Sequence, residues 1–308
     1  MAFAAFAAAK INLFLHVGPR GADGYHPICS LMVFADVGDR LTLTLGGSPR
    51  LRIGGPFGGG LGDGDDNLVN RARQLILAAA GAAQSPVFAL TLTKNLPVAA
   101  GLGGGSSDAA TALRLIDRAL GLDVPQATLA ALALRLGADV PACLAASPVI
   151  AQGRGERLGL SPRLPALHAV LANPGVASPT GEVFAAFDRS RSRGAADRPS
   201  APPSFKTTAE LAGFLSQCRN DLEPCAASRE PHIAQTLELL RAQPETLIAR
   251  LSGSGATSFA LCASLRHARR LACRIGDARP GWWVAACRLG GPWARGGVDR
   301  STTPPAGA

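Results

Sequence analysis

Lysine is almost absent: Lys10, Lys94 and Lys206 are the only three in 308 residues, against 28 arginines. The formal net charge of +9 therefore comes from arginines, and these are scattered. The one dense run, 189–198, lies among Ser, Gly and Pro. Scattered charge suits a polyanionic small molecule and builds no nucleic-acid groove, so no nucleic-acid partner is expected. Long apolar runs are missing as well. No stretch approaches the about 18 apolar residues of a membrane helix, so no membrane span is expected. Residues 1–10 are apolar but have no basic start, and Lys10 interrupts them, so they do not read as a secretion signal. Cysteine occurs seven times without one C-x-x-C pair. That argues against zinc frameworks, leaves no metal-ligating set to name, and points to free thiols in the cytoplasm.

What is present describes a folded, soluble chain: 47% hydrophobic and 17% charged residues. Its length exceeds one ordinary core, so two domains are expected, 1–155 and 156–308, with a frayed tail from about 292. A monomer or weak homodimer is the expected state.

The stretch that organises the chain is Pro97, Val98, Ala99, Ala100, Gly101, Leu102, Gly103, Gly104, Gly105, Ser106 and Ser107. Four glycines in five positions disfavour regular structure, by about 0.5–1 kcal/mol each relative to alanine, and let backbone approach a ligand closely. A strand-like run, 87–93, precedes them. An apolar stripe of Ala109, Ala112, Leu113, Ile116 and Leu120 follows, stopped by Gly121, with Ser106 or Ser107 as the expected cap. Strand, glycine loop and helix N-terminus present N–H groups and a positive dipole end to an anion. The spacing is neither a Walker loop, since no lysine follows Gly105, nor a dinucleotide fingerprint. A triphosphate cradle is the reading adopted.

Elsewhere, residues 8–17 alternate as a strand that puts Lys10 and Asn12 on one face. The turn-rich stretch 18–27 carries Tyr25, the only tyrosine, beside His26; such a pair can stack on a planar base and bond to its edge. Residues 28–37 and 40–45 read as two strands parted by Gly38-Asp39, and 46–66 as a flexible, glycine-rich excursion. A helix is expected over 67–80 and another over 125–136, the second ending at Gly137-Ala138-Asp139-Val140-Pro141, where Asp139 holds a fixed spot outside the helix. A hairpin over 149–158, a buried strand over 167–172, a helix through Val183, Phe184 and Phe187, and a mobile 189–203 loop follow. Two helices, around 208–218 and 232–240, flank Asn220-Asp221-Leu222-Glu223. A second Gly–Ser loop, Ser252, Gly253, Ser254 and Gly255, leads into a strand at 259–262, and a helix over 265–275 and a strand over 283–287 close the chain. Singly these are weak: Lys10 reads as well as a solvated lysine, Tyr25 as a plug, His26 as a turn cap and Asp139 as a turn former.

In this order the motifs resemble the GHMP small-molecule kinases. Residues 97–107 look like that family's ATP loop and 251–255 like its third motif. Ala9-Lys10-Ile11-Asn12-Leu13 with Asp23-Gly24-Tyr25-His26 resembles the branch whose acceptor is a cytidine diphosphate-linked methylerythritol, as opposed to homoserine, mevalonate or galactose. The resemblance implies an α+β fold of two domains, the first like ribosomal protein S5 domain 2 and the second ferredoxin-like, with the site in the cleft between them. It also implies ATP and Mg²⁺, transfer of the γ-phosphate to the 2-hydroxyl of that small-molecule acceptor in non-mevalonate isoprenoid synthesis, and Lys10 with Asp139 as the catalytic pair. Asn12, Tyr25, His26 and Phe184 would receive the acceptor, and Ser252 to Gly255 would support the phosphate loop. An ordinary carboxylate cannot strip an alcohol beforehand, which would cost about 16 kcal/mol. Asp139 is therefore expected to orient the hydroxyl and take its proton late, with Lys10 keeping it ionised. Two departures stand out: Ala99-Ala100 where a glycine-richer start is usual, and the long 189–203 loop.

Overall fold

A computed structural model describes residues 1–46, 48–81, 87–190 and 194–293. The expected frayed tail lies outside these from residue 294 on. The first strand, β1 (Ala2–Val17), starts well before the alternating run, because the small apolar residues ahead of Lys10 pair antiparallel with β2 (Ile28–Leu45). β2 is one strand, not two. Gly38-Asp39 does not turn there: a Cβ on Gly38 would lie 2.1 Å from the Ala7 carbonyl oxygen, so glycine admits the neighbouring strand. The β1 register shifts just past this point, between Ala8 and Lys10.

β3 (Leu51–Gly54) lies parallel to β4 (Phe88–Thr93), so the glycine-rich excursion contains a strand where only flexibility was expected. Between them runs α1 (Leu68–Ala79), capped by the Asn67 side chain on the Val69 N–H at 2.9 Å. α2 (Gly104–Leu120), α3 (Gln126–Leu136) and a short α4 (Val140–Ala145) follow. β5 (Val149–Gly153) and β6 (Arg157–Leu160) form the expected hairpin, with β5 also paired to β2. The helices bury their stripes on β1, β2 and β4: Leu113 and Ile116 of α2 are fully buried, and each contributes about 1.5–3 kcal/mol by that burial.

The second half runs β7 (Leu167–Asn173), α5 (Thr180–Arg189), α6 (Thr208–Ser216), α7 (Glu223–Arg229), α8 (Pro231–Arg241), β8 (Thr246–Leu251), β9 (Ser258–Cys262), α9 (Leu265–Ala278) and β10 (Trp283–Gly290). Its strands lie in the order β10-β7-β9-β8, all antiparallel, which is the ferredoxin-like order expected. Pairing of Leu289 and Gly290 with Ala35 and Phe34 joins this sheet to the first half. The described part of the 189–203 loop is pinned across the end of β1: the Asp197 carbonyl accepts from His16 Nδ1 at 2.8 Å, and Arg163 donates to the Pro203 carbonyl at 3.0 Å.

Candidate active site

The glycine stretch is shorter than a free loop. α2 starts at Gly104, behind a left-handed Gly103 (φ 60°), so Gly104, Gly105, Ser106 and Ser107 form its first turn. Neither serine caps it; Ser107 Oγ donates instead to the Ala8 carbonyl at 2.7 Å. Helical glycine is tolerated here because side chains crowd the turn. A Cβ at Gly104 would stand 3.2 Å from Lys94 Nζ, and one at Gly103 3.1 Å from Lys10 Cε. The loop is fixed by backbone from both halves: Lys10 N–H donates to the Leu102 carbonyl at 2.8 Å, and Thr257 N–H to Ala100 at 3.0 Å.

The second Gly–Ser loop braces the first. Ser252 Oγ donates to the Gly101 carbonyl at 2.9 Å and accepts from the Asn12 N–H at 3.3 Å. Gly101 has φ 73°, and any Cβ there would meet the Ser252 carbonyl oxygen at 2.2 Å. Gly253 and Ser254 face the cleft, whereas Ser252 and Gly255 stand behind it.

Lys10 and Asn12 do share a face of β1. Lys10 Nζ donates to Asn12 Oδ1 at 2.7 Å and lies 3.2 Å from Asp139 Oδ2. Asn12 is oriented in turn by Ser30 Oγ at 2.8 Å, whose hydroxyl donates to the Phe14 carbonyl at 2.6 Å. Asp139 stands in the turn between α3 and α4, outside both helices as expected; it is the residue ahead of α4, with Pro141 in the first turn, and its side chain makes no cap. The carboxylate is thus left for Lys10. The Lys10 side chain is 5% exposed and that of Asp139 34%, so the pair presents its acid to the cleft.

That cleft, of about 1740 Å³, is lined by Lys10, Asn12, Asp139, Tyr25, His26, Phe184, Ala99, Ala100, Gly101, Gly103 and Ser106. Pro97, Val98, Leu102, Gly104, Gly105 and Ser107 do not line it. Tyr25 is 56% exposed, with the Arg154 guanidinium 4.1 Å over its ring, and Arg154 is paired with Asp23 at 2.7 Å. The imidazole of His26 does not reach out to read an edge: Nδ1 lies 2.8 Å from the Gly18 carbonyl and Nε2 3.0 Å from Asp188 Oδ1. Phe184, on α5, stands 5.3 Å from the His26 ring.

The chain matches the GHMP kinases N terminal domain over residues 67–147 and the GHMP kinases C terminal domain over 204–280. It is 54% identical to a 4-diphosphocytidyl-2-C-methyl-D-erythritol kinase of Caulobacter sp. strain K31, over 94% of this chain and 99% of that protein. The chain belongs to the GHMP kinase family. The crystal structure of a 4-(cytidine 5'-diphospho)-2C-methyl-D-erythritol kinase superposes with TM-score 0.73 at 34% identity, covering 94% of this chain and 99% of that one. A homoserine kinase from Cytophaga hutchinsonii superposes with TM-score 0.67 at 19% identity, over 94% and 95% of the two chains, a likeness of fold alone. The fold is the two-domain GHMP kinase fold, as expected.

Under the glycine turn of this GHMP kinase lies a buried cluster that the sequence does not announce. Lys94 Nζ is held by Asp39 Oδ2 and, at 2.8 Å, by Asp108 Oδ2. Asp39 Oδ1 also accepts from the N–H groups of Asn95 and Leu96 at 2.6 and 2.9 Å. Asp108 Oδ1 is buried without a partner among the described residues. Burial, only partly offset by Lys94, pushes the Asp108 carboxyl up to about 7. Burial alone would lower Lys94, but the two facing carboxylates raise it. Arg20, Arg154, Thr180 and Asp188 also line the cleft unannounced. Among the described residues no group of three His, Cys, Asp or Glu could hold a metal ion, and no helix is long and apolar enough to cross a membrane.

Proposed function

We propose that this GHMP kinase transfers the γ-phosphate of ATP to the 2-hydroxyl of 4-diphosphocytidyl-2-C-methyl-D-erythritol, a step in making isoprenoid precursors outside the mevalonate route. The observation that carries the reading is one cleft holding both the Lys10–Asp139 pair and the Tyr25, His26 and Phe184 rings, opening onto the glycine turn. Its volume suits two ligands, since a drug-sized molecule fills roughly 300–1,000 Å³. The names of close relatives support the acceptor.

In this reading the triphosphate lies on the α2 N-terminus, where N–H groups and the helix dipole favour negative charge. Gly101 and Gly103 take left-handed backbone (φ 73° and 60°) and line the cleft, a curl that suits backbone wrapped around such a group. Mg²⁺ would be held mainly by phosphate oxygens and water, as is usual for this ion, and would neutralise charge between the phosphates. Phosphoryl transfer needs positioning and charge neutralisation more than covalent chemistry. Lys10 supplies a positive charge beside the acceptor oxygen. Asp139 orients the hydroxyl and accepts its proton as the new bond forms. Asn12 fixes the Lys10 ammonium. Tyr25 and Phe184 receive the base, with His26 as the wedge behind Phe184. We place the division of the halves at 155/156, in the turn between β5 and β6. The free cysteines favour the cytoplasm.

The test is Mg²⁺-dependent ADP release with the cytidylated acceptor, with homoserine and mevalonate beside it. Turnover is expected with the first only. Asp139→Asn should lower kcat by about 10²–10⁴-fold. Turnover on another acceptor alone would keep the fold and discard the substrate, and near-normal kcat in the variant would discard the role of Asp139.

A further inference from the structure

We propose that Asp188 is a positioning residue for the acceptor, gripping the His26 ring from α5 so that the aromatic pocket keeps its shape. The proposal rests on the acceptor assignment above. Asp188 stands one helical turn beyond Phe184, at the i+4 spacing that puts both on one face of α5. From there its carboxylate lies 3.0 Å from His26 Nε2 and 3.7 Å from an Arg20 guanidinium nitrogen. Arg20 is itself folded back on its loop, its Nε donating to the Gly24 carbonyl at 2.8 Å. One carboxylate from the second half of the chain therefore holds both ends of the 18–27 loop of the first half.

The His26 ring shows what this grip does. Its side chain is 6% exposed. The Gly18 carbonyl can only accept, so Nδ1 carries the hydrogen at that 2.8 Å contact. The Asp188 carboxylate can only accept too, so its 3.0 Å approach to Nε2 is attractive with a hydrogen on both ring nitrogens, an imidazolium against a carboxylate. It lies out of line for a straight hydrogen bond, and Nε2 has no other partner among the described residues. The ring is wedged between Phe184, at 5.3 Å and 32°, and Phe187, at 5.6 Å and 77°. With both nitrogens turned to protein, the imidazole acts by position: it backs Phe184 and ties it to the loop that carries Tyr25. Arg20 adds little, because its side chain is 59% exposed and so is its end of the pair. The His26 contact is the one shielded from water, and it is where Asp188 acts.

The test is steady-state kinetics of Asp188→Asn, His26→Gln and the double variant. Loss of one shielded charge-assisted contact should raise the acceptor KM by about tenfold in Asp188→Asn, with kcat and the ATP KM within about twofold of wild type. Asp188→Glu should recover most of the acceptor KM. In the His26→Gln background, Asp188→Asn should add less than about twofold, because the residue acts through His26. An unchanged acceptor KM in Asp188→Asn overturns the proposal. So does a full further loss in the double variant, or a fall of kcat, ATP affinity and melting temperature together, which would mark a merely structural contact. Absence of wild-type turnover on the cytidylated acceptor would instead overturn the acceptor reading, and the proposal with it.

Discussion

Two carboxylates share one ammonium beneath the glycine turn, and that imbalance makes a measurable claim about pH. Asp39 is well supplied, with two backbone N–H groups and Lys94, whereas Asp108 has Lys94 on one oxygen and, among the described residues, no partner on the other. Burial raises the Asp108 carboxyl to about 7 in the fold. In the open chain an aspartate titrates near pH 4. The folded state therefore binds the proton more tightly. The stability this contributes is complete below about pH 4 and is lost as the pH rises through about 7, at up to about 1.4 kcal/mol per pH unit. Even half of that slope amounts to about 2 kcal/mol over the window. Asp108→Asn keeps the shape and removes the titration. The assay is urea unfolding of wild type and Asp108→Asn at intervals from pH 4.5 to 7.5, taking the difference so that groups common to both cancel. The stability of wild type relative to the variant should fall steadily across the series, and the variant should equal or exceed wild type at pH 7.5. A difference that stays constant within about 0.5 kcal/mol, or rises with pH, would refute the reasoning.

Three further outcomes are expected. Arg250 is 8% exposed and donates to the carbonyls of Leu13, Leu215 and Cys218, tying the strand that carries Lys10 to the end of α6; Arg250→Leu should cost about 2–4 kcal/mol, read as a lowered urea midpoint. Burial holds His16 below its usual range, its Nδ1 on the Asp197 carbonyl and its Nε2 accepting from the Arg219 N–H at 3.1 Å. The unfolded chain then takes the extra proton, so stability should fall as the pH drops below about 6.5, and His16→Gln should lose that part of the dependence, read by melting temperature between pH 5 and 7.5. Lys94→Arg should destabilise by about 1–3 kcal/mol in the same urea assay, because the larger guanidinium has no room beside Gly104, whose added Cβ would already stand 3.2 Å from Nζ.

Periodicity carried the long elements. α1, α3, β4 and β7 fall within a residue or two of their expected bounds, because the first three set one face against the core, β7 is a buried apolar run, and each has a clear stop. The short helices were hidden by the proline that starts them. In α4 and α7, Pro141 and Pro224 sit in the first turn, where a missing N–H costs nothing, yet Asp-Val-Pro and Leu-Glu-Pro read from sequence as turns that end something. β2 ran through Gly38-Asp39 for a reason that only tertiary contact supplies. The Asp39 side chain, an ordinary turn signal, is consumed by Lys94 and by the N–H groups of Asn95 and Leu96 more than fifty positions away. The cleft residues were legible because they sit in motifs of fixed local spacing. Lys10 and Asn12 are two apart on a strand, and the loops announce themselves by glycine.

The Lys94 cluster has no such spacing, but a signal for it did exist in the composition. In a chain that uses arginine 28 times and lysine three times, a lysine marks a place to ask whether a guanidinium would serve. Lys206 is exposed and uninformative, but the other two are buried, one against Asp139 and the other against Asp39 and Asp108. Both flank the same glycine turn, Lys10 lying 3.1 Å from a Cβ at Gly103 and Lys94 3.2 Å from one at Gly104. A planar, forked guanidinium needs more width than either place allows, whereas an ammonium is compact and can be shared among two or three oxygens. The glycines and the lysines are thus one feature: the turn is stripped of side chains on the inside so that two ammonium groups can stand beneath it.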